Sequence, residues 1–174
     1  MKKDTWIWEL IGFAVVSLGG TLLHFLYEWV GQALWAAPFS GVNESTWEHM
    51  KLLFWPMLVY AVVQAPFFRE RADFWDIKLR GVLIGIGLIP LLFYTYNGVI
   101  GKSPDWVNVT IFFVAAAAAY IYEAKRMRVG DPSPMDRRIA IALLCLTGAA
   151  FIVFTFLAPR LEIFRDPLTG KHGI

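Results

Sequence analysis

Long apolar runs alternate with short polar breaks along the chain, and the runs have the length that a lipid bilayer asks for. They fall at about 6–29, 45–68, 79–97, 106–123 and 139–158, followed by a mixed tail at 159–174. A hydrocarbon core about 30 Å thick needs around 20 apolar residues per helical span, so each run predicts one transmembrane helix. The pattern as a whole predicts an all-α, polytopic membrane helix bundle of five spans, one integral membrane domain from 1 to 174.

Inside the runs the polar and small residues keep helical spacing. Ser17, Gly20, Thr21, His24, Glu28 and Gly31 fall on one face of the first span. In lipid such a stripe turns toward neighbouring helices, where small residues permit close approach and polar ones find partners. His24 and Glu28, one turn apart, are therefore expected to point together into the bundle. The third span carries the small pair Gly81 and Gly85, then Gly87, Pro90, Tyr94 and Asn97 toward its far end, and the fourth carries Ala115 to Ala119 for tight packing. Between spans one and two, Val30 to Gly41 is uncharged but too short and broken to cross. It predicts an interfacial or re-entrant segment lying as a lid over the bundle mouth.

Composition agrees with this pattern and narrows the function. The chain is 57% hydrophobic and 16% aromatic, against roughly 45–50% apolar residues in an ordinary soluble domain. A net charge of +2, with the basic residues in short loops, argues against nucleic acid as a partner. The single Cys145 excludes an internal disulfide and any Cys-x-x-Cys site. Met1-Lys2-Lys3 and the apolar run behind it imitate a secretory signal, but Glu9 inside the run and the lack of a small-x-small cleavage site favour a retained span.

Lysine and arginine then set the orientation. Lys2, Lys3, Arg69, Arg71, Lys78 and Arg80 fall on one side, joined by the most basic loop, Lys125 through Pro132-Ser133-Pro134 to Arg138. Fewer basic residues fall on the other side, so the N-terminus is expected in the cytoplasm and the C-terminus outside. Trp29, Trp35, Trp47 and Trp106 would form the outer aromatic belt.

Candidate chemistry concentrates on that outer side, in V-N-E-S-T-W-E-H-M-K from Val42 to Lys51. Ser45 to Glu48 reads as a capping box, in which the Ser45 hydroxyl accepts from the Glu48 amide and the Glu48 carboxylate reaches back. That accounts for Ser45 and Glu48 without chemistry, but not for Glu44, His49 or Lys51, and Asn43 beside them is a further candidate pocket residue. Ionisable groups in a span are expensive unless they converge, so His24, Glu28, Glu44, Glu48, His49 and Lys51 are expected to share one pocket beneath the 30–41 segment. Tyr94, Asn97, Asp105 and Asn108 would supply its far wall, and the tail would close it. Two imidazoles with carboxylates also suit a divalent metal, with His24, Glu28, Glu48 and His49 as candidate ligands, although there is no H-E-x-x-H and Lys51 would compete with a cation. Lys51, three residues after Glu48, reads more comfortably as its ion-pair partner.

At these residues the sequence resembles an uncharacterised family of small bacterial multi-pass membrane proteins, a domain of unknown function. The matches are His24-Phe25-Leu26-Tyr27-Glu28, then Val42 to Lys51, then Phe164 to Ile174, with Gly41 where the family pattern has proline. The resemblance implies a protein of the bacterial plasma membrane and no particular activity. Three classes stay open. One is a pocket that binds or transports a small solute or ion, one is a metal-dependent enzyme at the outer interface, and one is an accessory or scaffold protein; self-association is compatible with each.

Overall fold

Each apolar run folds as a helix, since only internal hydrogen bonding satisfies backbone amides in lipid. The computed structural model describes residues 2–130 and 134–174, so Met1 and Asp131-Pro132-Ser133 of the basic loop lie outside the described residues. The helices are α1 (Lys2–Trp29), α2 (Thr46–Gln64), α3 (Phe74–Val99), α4 (Asp105–Val129) and α5 (Arg137–Phe156). All five are long and apolar enough to cross a membrane, and no strand occurs among the described residues.

Two helices outrun their apolar stretches. α3 begins at Phe74, ahead of the boundary expected near Leu79, and α4 continues to Val129, past the expected end at Glu123. The charges at those expected boundaries, Asp76, Lys78 and Glu123, are buried. Paired inside the bundle, they give the helix no reason to stop. α5 starts at Arg137 because the Asp136 carboxylate accepts from the free amides of Arg138 and Ile139, at 2.8 and 3.4 Å.

α2 lies at the centre and packs on each of the other four helices. Leu52, Leu53, Phe54 and Met57 from α2 meet Ile86 and Ile89 of α3 and Ala115, Ala116 and Ala119 of α4 in the main core. Gly85 makes the α2–α3 approach close: a Cβ there would stand 2.5 Å from Leu53 Cδ2 and 3.4 Å from that of Ala119. The outer surface is apolar too, with Leu10, Leu18, Leu22, Leu91 and Leu146 more than half exposed, as a lipid surround allows.

The link between α1 and α2 folds back on α2. Ser40 Oγ accepts from the Tyr27 amide at 2.8 Å and donates to the Leu23 carbonyl, satisfying the end of α1. Lys51 Nζ donates to Ala37 O at 2.7 Å and Trp55 Nε1 to Pro38 O at 2.8 Å.

The tail also folds back. Phe164 is buried 4.7 Å from Trp47 and 5.6 Å from Phe154, ring centre to ring centre. Trp47 is thus a packing residue, whereas Trp29 and Trp106 at helix ends and Trp35 in the α1–α2 link are exposed. Asp166 folds the following turn, accepting from Leu168 N at 3.0 Å and Thr169 Oγ1 at 2.5 Å. Asn43 Nδ2 then ties the chain end down through Gly173 O at 3.0 Å.

Candidate functional site

Polar side chains gather at both ends of the bundle. Along α1 the two clusters are marked by His24 and Glu9, fifteen residues or roughly 22 Å apart at helical rise.

At the first end, α1 contributes His24, α2 contributes His49, and the loop ahead of α2 contributes Glu44. His24 Nε2 stands 3.7 Å from Glu44 Oε1, His49 Nε2 stands 3.5 Å from Glu44 Oε2, and the imidazole centres are 5.8 Å apart. The three are partly buried. They wall a cavity of about 490 Å³, within the 300–1,000 Å³ typical of small-molecule sites.

The opposite wall is built on the α3–α4 turn. Asn97 Oδ1 accepts from the Ser103 amide at 2.9 Å, and Ser103 Oγ bonds Asn108 Oδ1 at 2.7 Å. Asp105 and Lys102 stand on the same rim. Ile89, Phe93 and Phe112 form the apolar floor, while Pro167 and Leu168 reach in from the tail. Phe25, Val109 and Phe113 line the cavity and are also exposed on the flanks of α1 and α4.

Glu48 and Lys51 do not join this cavity. They form a separate pair at 2.5 Å, 2% and 0% exposed. Lys51 Nζ also donates to Thr155 Oγ1 at 2.9 Å and Glu48 Oε2 accepts from Val42 N at 3.1 Å, so the pair rivets α2 to α5 and to the α1–α2 link. The expected capping box is half formed: Ser45 Oγ accepts from Glu48 N at 3.4 Å, but Ser45 N donates to Asn43 Oδ1 at 2.9 Å. The Glu48 carboxylate is held elsewhere by Lys51. Glu28 lies one turn beyond His24 and is exposed, so it stands apart from both imidazoles. Tyr94 meets Thr46 Oγ1 at 3.5 Å and borders a shallower depression of about 250 Å³ beside the tail. Of the six groups expected in one pocket, then, three line it, two lie under the 30–41 segment, and Glu28 points away. The 30–41 segment meets the Glu48–Lys51 pair through Ala37, and Pro167 and Leu168 of the tail border the cavity.

The second cluster escaped the sequence reading, which took Lys78 as a loop cation and Glu123 as a span end. Lys78 Nζ donates to Glu9 Oε1 and Oε2 at 3.1 and 3.0 Å and to Glu123 Oε2 at 2.5 Å. Gln64 Nε2 donates to Glu9 Oε1 at 3.1 Å, and all four residues are buried. Arg71 beside them is fixed as well: it forks onto Asp73 at 3.0 and 2.7 Å and caps α4 through Met127 O at 2.8 Å. The available signal was Glu9, a carboxylate in mid-run that lipid would not accept without a cation facing it.

Five apolar helices around internal polar clusters fit a multi-pass membrane protein. The chain belongs to a family of unknown function, DUF6512, whose model matches residues 1–174. No curated protein and no solved structure matches it.

Proposed function

We propose that the protein binds a small amphiphilic solute in the His24–Glu44–His49 cavity, on the extracytoplasmic side of the membrane. The observation that carries this reading is the make-up of the walls. Imidazoles and a carboxylate face amides and a hydroxyl across an aromatic and aliphatic floor, the arrangement that holds a ligand's body by burial and its ends by hydrogen bonds. Entry from the bilayer explains why Phe25, Val109 and Phe113 belong both to the cavity and to the lipid-facing surface. The basic residues of the opposite loops support the orientation, with the histidine end outside.

Native mass spectrometry of the detergent-purified protein tests the reading. Thr21 lines the cavity, and Thr21→Trp would fill it. The wild type is expected to retain a small molecule that the variant lacks, with the variant still folded by its cooperative melting curve. Identical bound species in both proteins would overturn the reading.

A further inference from the structure

We infer that His24, Glu44 and His49 form a divalent transition-metal site, zinc being the reference ion, with its open coordination position facing the cavity. The inference rests on the cavity reading for its location and adds the chemistry of the ligand head that the cavity would take.

The tautomer of His49 carries the first step. Its Nδ1 lies 2.9 Å from Ser45 O, and a carbonyl can only accept, so Nδ1 holds a proton. A ligating histidine is commonly fixed this way, with the second ring nitrogen left to the metal. Nε2 is then the ring nitrogen turned toward the Glu44 carboxylate, 3.5 Å away.

The spacing of the three groups suits a metal ion. A close imidazolium–carboxylate hydrogen bond spans about 2.7–2.9 Å, and the separations here are wider, at 3.5 and 3.7 Å. Zinc bonds nitrogen and oxygen at about 2.0–2.2 Å, which sets the edge of a tetrahedron near 3.4 Å. His24 Nε2 lies 3.7 Å from Glu44 Oε1 and His49 Nε2 lies 3.5 Å from Glu44 Oε2, both close to that figure, and one donor atom from each residue lies within 4.8 Å of the other two. Two histidines and one glutamate leave a fourth position free, the composition of an open rather than a structural zinc site. Lys51 does not compete for the ion, because it is spent on Glu48. An ion so held would anchor an oxygen-bearing head group, with the ligand's apolar body against Phe93 and Phe112.

The test uses the full chain in detergent, stripped with chelator and titrated with cobalt(II), whose absorption reports tetrahedral nitrogen and oxygen ligands. One cobalt per chain, displaced by zinc, is expected. His24→Ala and His49→Gln should each weaken binding by more than about 100-fold, beyond the loss of an outer-shell partner, and Glu44→Gln by at least about 10-fold. His172→Ala, in the tail, should leave binding unchanged and serves as the control for adventitious imidazole. Melting curves of the metal-free proteins identify any variant that fails to fold, in which case the remaining two ligand substitutions decide. A protein that binds no cobalt, or binds it equally in the folded ligand variants, overturns the metal site. If that protein still shows the small molecule displaced by Thr21→Trp, the cavity reading survives; if it does not, both fall.

Discussion

Lys51 Nζ and Glu48 Oε2 meet at 2.5 Å in a place from which solvent is excluded, with Thr155 and the Ala37 carbonyl taking the remaining ammonium protons. Such a pair holds three segments in register but is not a source of large net stability, since both charges left water to make it. The asymmetry is what can be measured. Removing one partner strands the other.

Lys51→Met is therefore expected to cost about 3–5 kcal/mol, and Glu48→Gln with Lys51→Met together much less. A double-mutant cycle on unfolding in mixed micelles gives the coupling. Equal losses for the single and double variants would place the pair outside the load of the fold.

The cluster at the other end has two carboxylates around one ammonium, Glu9 and Glu123 on Lys78. Lys78→Met should be severe, about 3–5 kcal/mol, because it leaves both carboxylates without a cation. Glu123→Gln should be mild, within about 1 kcal/mol, since Glu9 still pairs with Lys78. Thermal aggregation followed by size exclusion ranks the two; the reverse order contradicts this assignment.

Phe164 pins the tail against Trp47 and Phe154. Phe164→Ala removes a buried ring and is expected to free the tail, at a cost of about 3 kcal/mol. Limited trypsin digestion should then cut at Arg165 faster than in the wild type. Asn43→Ala, which removes the hydrogen bond to Gly173 O and the one accepted from Ser45 N, should act in the same direction by about 1–2 kcal/mol.

The five spans were legible because lipid imposes length and hydropathy on a helix directly. The helix ends were not, since Lys78 and Glu123 look like boundary charges until Glu9 of α1 is brought beside them. At the candidate site, Glu44 and His49 stood out in one ten-residue segment and His24 in the preceding span. Their grouping depended on rotation: Glu48 and His49 are 100° apart on α2, so one faces α5 and the link while the other faces α1 and the cavity. Periodicity gives that angle but not which neighbour occupies each side. Glu28 shows the limit from the other direction, because the i,i+4 relation to His24 holds along the stripe while the Glu28 side chain itself is exposed.

On the proposed orientation, the cavity lined by His24 opens to the outside of the cell. His24→Cys in a Cys145→Ala background, treated in intact cells with a membrane-impermeant thiol reagent, tests this. Labelling is expected before lysis, and is expected to be blocked when Thr21→Trp fills the cavity. Labelling only after the cells are broken open would contradict it.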